Sequence, residues 1–411
     1  MDKRFYKIVI YLCILDVLLM VYIYPFYLSS AGWTIVTLSN LALVVYVLVS
    51  KKIYRYNKKA VIWGLTLFPL ILNNFSLRNG EFGFTLLWLF FILLLLIIDE
   101  RNFWIKPSLK LIYVFCGFYS VTTIIFNFKL AGVLENIAYI YRGFHPIDVG
   151  TLATAGFTRH YSHNGLYIAT GFIIACSALL SKKSKMNLLV TSLFFIGLLF
   201  TQKRGPLLAA LISVILVYLI TNNSKLSKKI FVFLIGVAVT IVGVYVGYIL
   251  FPKLFAVIDR FSTDNLLTGR QYLWDEALDM FMECPLWGVG FGAYPHKLSV
   301  VIDTIKVTNL NAHNIYLQIL AETGIIGFLC FMIPMLFSLI NTLTFLRNNR
   351  MYLSERTTMV LLFSSIMQLF FLVNGITENS LYDRVIYVPY LLSVAYYISI
   401  YKSVKKKICI A

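Results

Sequence analysis

Residues 82–98 read FGFTLLWLFFILLLLII, seventeen positions without a charge, between Glu81 and Asp99. Coiled as a helix, the run is apolar on every side and leaves no face for water. At 1.5 Å per residue it covers about 25 Å of a hydrocarbon layer roughly 30 Å thick. The rest of the 411-residue chain repeats the pattern: 60% of it is hydrophobic, 16% aromatic and 13% charged, more apolar surface than a soluble core can hide. Apolar runs lie near 8–28, 31–50, 60–76, 82–98, 109–128, 164–181, 187–201, 206–222, 229–250, 324–346, 357–375 and 386–401. They predict an all-α polytopic membrane protein of about 12 transmembrane helices, a single integral membrane domain over residues 1–411. Asp2, Lys3, Arg4 and Lys7 before the first run resemble the start of a signal peptide, but that run has full spanning length and a second follows at once, which favours a retained span.

The formal charge of +18 does not point to nucleic acid, because Lys and Arg punctuate apolar runs instead of gathering on one soluble face. They set orientation. With the N-terminus in the cytoplasm, 24 of the 36 basic residues fall in cytoplasmic loops, which predicts a plasma-membrane protein with both termini cytoplasmic. The same assignment puts outside all five histidines and all but five of the 18 acidic residues, so the exterior is expected to hold the chemistry. Two exterior segments are long, the loop 129–163 and the large loop 251–323, and loops of that length in a compact protein are usually functional. The six cysteines lie apart, four of them in apolar runs, and suggest neither a disulfide framework nor a metal cluster.

The short exterior turn Thr201-Gln202-Lys203-Arg204-Gly205-Pro206 breaks the orientation rule with two cations. An anion would offset them, with the Arg204 fork and the backbone donors opened by Pro206 facing it. The alternative is a snorkelling pair on lipid headgroups. In the large loop, Leu273, Ala277, Leu278 and Phe281 recur at helical spacing after Asp259-Arg260-Phe261 and Thr268-Gly269-Arg270, which predicts an amphipathic helix lying on the membrane surface. Arg270 would open that helix, where a cation is disfavoured, so it serves either a ligand or an ion pair with Asp275 or Asp264. Gly288 to Gly292 follow no strand and lack the lysine of a phosphate loop, and read as a flexible turn.

Asn311 is the expected cap of a helix starting near Ala312. Continued to Leu346, that helix would exceed 30 Å of hydrocarbon, so it should break at Gly324 and leave His313 at the water boundary, as general base, hydrogen-bond donor or plain structural histidine. In Arg159-His160-Tyr161-Ser162-His163-Asn164, the two histidines could share a helical face, but without a third ligand they point to contact with polar ligand groups rather than a metal.

Gln202-Lys203-Arg204-Gly205, Thr268-Gly269-Arg270 through Trp274 and Pro285-Leu286-Trp287-Gly288-Val289-Gly290, and His313-Asn314 through Glu322-Thr323-Gly324 occur in one order on one side of the membrane. In that order they resemble the O-antigen polymerase and ligase superfamily, which includes Wzy-type repeat-unit polymerases and lipopolysaccharide ligases. The resemblance implies a type C glycosyltransferase-like fold and metal-independent, cofactor-free, inverting transfer from undecaprenyl-diphosphate-linked oligosaccharides. It implies that Arg204 and Arg270 bind the donor diphosphate and that His313 assists the acceptor, the three converging by the outer leaflet. Gln202, Lys203, Arg260, Arg159, His163, Trp274 and Asn314 become candidate substrate contacts. Ser162-His163-Asn164 departs from the common pattern, in which a proline often precedes the asparagine. Membrane lipid, a chain-length regulator and a flippase are candidate partners, and nucleic acid is not. Polymerase is favoured over ligase because nothing here marks a lipid A core acceptor. A flippase or transporter is the rival class, and it lacks support because no internal repeat is visible and Asp16 is the ionisable group well inside a span.

Overall fold

The computed structural model describes residues 3–22, 30–50, 58–76, 82–98, 101–128, 132–142, 153–158, 160–222, 269–302 and 305–408, with isolated positions at 224, 227, 245 and 249. The span expected at 229–250, and Arg159 and Arg260, lie outside the described residues. Helices follow in the order α1 (Lys3–Tyr22), α2 (Ser30–Ser50), α3 (Lys58–Val61), α4 (Leu67–Ser76), α5 (Phe82–Ile97), α6 (Ile105–Asn127), α7 (Gly132–Arg142) and α8 (Tyr161–Ser181). Then come α9 (Lys185–Phe200), α10 (Arg204–Thr221), α11 (Arg270–Glu283), α12 (Tyr294–Lys297), α13 (Ile315–Asn349), α14 (Glu355–Asn374) and α15 (Arg384–Ile408). Among the described residues, seven helices are long and apolar enough to cross a membrane, and four shorter apolar helices accompany them. The fold is that of an all-α polytopic membrane protein. Its one addition among the described residues is a hairpin in which Val300–Ile302 pairs antiparallel with Ile305–Val307.

The chain groups into two compact units, each discontinuous in sequence: Met1–Leu111 with Leu267–Asn341 and Gly375–Ala411, and Ile112–Leu266 with Thr342–Asn374. In the first unit the helices interlock through buried aromatic residues. The Trp88 indole donates to Thr66 Oγ1 at 2.7 Å, Trp63 packs against Trp88 and Tyr390, and the Ser108 and Tyr396 hydroxyls pair at 2.8 Å. Such bonds matter in lipid, where apolar contact alone gives helices little reason to prefer one another over acyl chains.

The second unit solves the same problem with small residues. A Cβ on Gly171 would sit 2.3 Å from the Phe194 ring, and one on Gly197 would sit 2.3 Å from Ser120 Oγ. Both glycines therefore let α6, α8 and α9 approach closely enough for dispersion contacts to hold them, and Tyr119 stacks on Tyr167 at 4.5 Å. The loop expected over 129–163 contains a helix, Gly132–Arg142, whose Val133, Ile137 and Ile140 are exposed.

Candidate active site

Gly324 breaks α13 where the span-length argument placed the break, with φ 62° and ψ −172°, a backbone region open in practice to glycine. A break inside a helix strands backbone groups, and the turn 285–290 satisfies them. Val289 N–H donates to Ala321 O at 2.9 Å, Gly290 N–H to Glu322 O at 2.8 Å, and Ile325 N–H to Pro285 O at 2.9 Å. The approach is backbone on backbone: a Cβ on Gly288 would lie 2.3 Å from the Glu322 carbonyl carbon, and one on Gly324 2.3 Å from that of Leu286. The glycine run is thus a tied clamp and not the flexible turn expected. Gly324→Ala should unseat the clamp; the expected outcome is a fall in the thermal midpoint of the purified protein and loss of activity, and a Gly324→Ala protein of unchanged melting temperature would remove the clamp from the account.

Behind the clamp sits Glu322, fully buried. Its carboxylate accepts from Gly292 N–H at 2.8 Å, Tyr294 N–H at 3.2 Å, Gln318 Nε2 at 3.1 Å and the Tyr382 hydroxyl. A buried carboxylate survives only when its lone pairs are met in this way. Burial pushes the Tyr294 phenol above its ordinary pKa, helped by Glu276 and Glu322, and its hydroxyl donates to Leu273 O at 2.7 Å.

That bond docks α11. Leu273, Ala277 and Met280 are buried against Val289, Ala293, Tyr294, Leu298, Ala312 and Ala321. The periodicity predicts a helix resting on lipid, whereas Leu273 and Ala277 of its stripe pack on the folded loop and Leu278, assigned to that stripe, is exposed. Trp274, a candidate substrate contact, donates its indole N–H to Ala312 O at 3.0 Å, next to His313.

Gly269 adopts φ 79° and caps α11, so Arg270 is its first residue. The guanidinium donates through Nη1 to Thr377 O at 2.6 Å and lies 3.5 Å from Glu378 Oε1. Among the described residues its partner is not Asp275, expected from nearness in sequence, but a carboxylate more than a hundred residues away, while Asp264 lies outside the described residues. The other oxygen of Glu378 faces His313 Nδ1 at 3.6 Å. One carboxylate therefore links the two side chains that the sequence marked for donor and acceptor. No spacing signal pointed to Glu378; the hint was an acid in the short exterior segment before the last span.

His313 is rigidly presented. Its φ is 53°, uncommon for a residue with a Cβ; such a backbone costs of order 1–3 kcal/mol and persists only where its surroundings enforce it. They do so on both sides. Ala312 N–H donates to Gln318 Oε1 at 3.1 Å, and Gln318 Nε2 donates to Asn311 Oδ1 at 2.9 Å. The helix starts at Ile315 and not near Ala312: its cap is Asn314, whose Oδ1 accepts from Tyr316 and Leu317 N–H at 3.0 and 3.2 Å. Asn311 is not the cap, and the oxygen of Asn314, a candidate ligand contact, is committed to the helix. Ile315 N–H donates to Gly375 O at 2.9 Å and fixes the turn that carries Glu378.

Gln202, Lys203, Arg204 and His163 fall together in the second unit. Gln202 is buried with φ 56°, and Arg204 opens α10 with Pro206 in its first turn. A Cβ on Gly165 would meet Lys203 Cβ at 3.2 Å, so the glycine seats this turn on the start of α8. Lys203 Nζ lies over the Tyr161 ring, 4.9 Å from its centroid, a cation–π contact rather than a charge left for lipid headgroups. His160 is the cap of α8, its Nδ1 accepting from Ser162 N–H, and lies outside the helix; it does not share a helical face with His163. Among the described residues no three His, Cys, Asp or Glu side chains group as a metal site.

Residues 189–332 match the family described as O-Antigen ligase. The matched segment runs from within α9 past the clamp and holds Arg204, Arg270, His313 and Gly324. Over that segment the chain is similar to the O-antigen polymerase and ligase superfamily. The chain is also similar to the exopolysaccharide production protein ExoQ of Rhizobium meliloti, 26% identical over 298 residues, 64% of this chain and 66% of the relative. It therefore spans just under two thirds of that relative's length. Glu378 and the turn that carries it lie beyond the superfamily segment, which is why the matched motifs contain the arginine and the histidine but not the group that joins them.

Proposed function

We propose that the chain polymerises undecaprenyl-diphosphate-linked oligosaccharide repeat units into a surface or exported polysaccharide at the outer face of the cytoplasmic membrane. The observation that carries the reading is the Glu378 carboxylate set between Arg270 and His313. With Nδ1 turned to Glu378, the histidine acts on a ligand through Nε2. The acceptor hydroxyl gives its proton to Nε2, its oxygen attacks the anomeric carbon from the side opposite the diphosphate, and the bond to the diphosphate oxygen breaks with inversion. The imidazolium formed is paired by Glu378, as the orienting carboxylate does in other histidine bases. Arg270 has five N–H donors, two of them turned to Thr377 and Glu378, and the remaining donors meet the negative charge developing on the leaving diphosphate. Arg204, in the second unit, is assigned the same class of ligand by the superfamily resemblance. A chain-length regulator and a flippase are the protein partners this reaction would need.

Purified protein reconstituted with lipid-linked oligosaccharide tests the reading: stepwise longer lipid-linked glycans support it, and translocation without extension overturns it. Transfer to a different acceptor, with no extension, identifies a ligase instead. Glu378 acts through its two neighbours, as a positioning residue. Glu378→Gln is expected to lower kcat by up to about 10²-fold, the scale of a misplaced reacting group, with acceptor KM little changed. A fall confined to protein yield or melting temperature would reduce Glu378 to a structural tie.

A further inference from the structure

The first unit holds a cavity of about 560 Å³ beside the His313 segment, within the roughly 300–1,000 Å³ range of small-molecule clefts. Its walls are of two kinds. Thr37, Asn309 and Asn311 bring a hydroxyl and two amide groups to one wall, while Phe84, Leu87 and Tyr387 offer apolar surface. His296 and Arg384, both exposed, stand at its rim, and none of the described residues that line it is Asp or Glu. The polar wall is held in place from behind, since Gln318 is fixed by Asn311, Ala312 and Glu322, and Tyr382 by Glu322. Asn309 has φ 58°, which asparagine tolerates, and its N–H donates to Pro295 O at 3.1 Å, so it too is fixed in the wall.

We infer that this cavity is a saccharide subsite that holds the sugars of the acceptor glycan. The chemistry selects a sugar because a pyranose has the same two surfaces, a hydroxyl edge for amides and a C–H face for apolar side chains. A lipid tail would give the Asn309 and Asn311 amides no partner, and a cation finds no carboxylate among the described lining residues. The acceptor is selected over the donor because Asn311 and Gln318 flank His313 in the chain, whereas Arg270 and Glu378 do not line the cavity. Sugar bound here presents its hydroxyl to the imidazole. The choice of acceptor rests on the glycosyl-transfer reading above; the binding of saccharide does not.

The test uses the full chain in lipid nanodiscs. The probe is the oligosaccharide released by mild acid from the lipid-linked glycan pool of cells lacking this protein. Saturation-transfer NMR on this probe is expected to show binding to the unaltered protein and to the inactive His313→Ala protein. Binding should be lost in Thr37→Trp, which fills the cavity, and weakened about tenfold or more in Arg384→Ala, an exposed position where folding is not at stake. In the extension assay Arg384→Ala is expected to raise acceptor KM by about tenfold with kcat nearly unchanged, the mark of lost uniform binding. Unchanged probe binding in both cavity variants overturns the subsite even if polymerisation is established. Loss of binding in both supports it even if no extension is ever observed.

Discussion

A protein with His313 replaced by Ala is expected to insert normally, bind its lipid-linked substrates and extend no chains. A positioned general base contributes about 10²–10⁴-fold, and the upper part of that range is expected for an imidazole that faces the Glu378 carboxylate beside Arg270. The loss will not come from unfolding. The side chain is one third exposed, and the strained φ of 53° is imposed by the Asn314 cap, by the Ala312 bond to Gln318 and by Trp274 on Ala312. Those contacts remain in His313→Ala, so the melting temperature should move little while turnover collapses. Single-turnover extension of lipid-linked oligosaccharide measures it. Activity that survives in the alanine variant with an unchanged pH profile would leave the imidazole with a structural task alone.

The parts of this architecture that were legible in the sequence are those set by one-dimensional physics. The span at 82–98 needs only length and the absence of charge. The break at Gly324 follows from a helix too long for hydrocarbon and the one residue that takes the required backbone angle. The start of α11 at Arg270 follows from Gly269. What failed were choices between equivalent candidates. Asn311 and Asn314 are both good caps, and only the path of the chain decides which oxygen meets the first N–H groups. The stripe of Leu273 and Ala277 looks the same whether it covers lipid or protein; the clamp at 285–290, folded beneath it, decided. Glu378 was out of reach for a deeper reason. Ion pairs read from sequence are local, so Asp275 and Asp264 were the natural partners of Arg270. The partner seen among the described residues comes from a turn fixed to the His313 helix by Ile315 and Gly375. Its contact exists only once the two ends of the first unit have closed.

Arg270→Lys keeps the charge and is nevertheless expected to lower kcat/KM for the donor by about 10²–10³-fold, the cost of removing a donor aimed at developing negative charge. The reason is geometric. The guanidinium reaches the Thr377 carbonyl with Nη1 and Glu378 with Nη2, and its planar fork still has donors directed elsewhere. An ammonium is a single centre: if it pairs with Glu378 it abandons the diphosphate, and if it turns to the diphosphate it releases the carboxylate that orients His313. Either way one of the two tasks is lost, so the lysine variant should resemble Arg270→Ala more than the unaltered protein. Arg204→Lys, tested separately in the second unit, is expected to lose activity on the same scale. Steady-state extension assays at varied donor concentration distinguish this from simple loss of positive potential, which an ionic-strength series would expose as a salt-dependent KM shared by all three proteins. An Arg270→Lys protein with normal kcat and normal donor KM would remove the guanidinium from the diphosphate site, and the Glu378 link would then be a strut between two helices and nothing more.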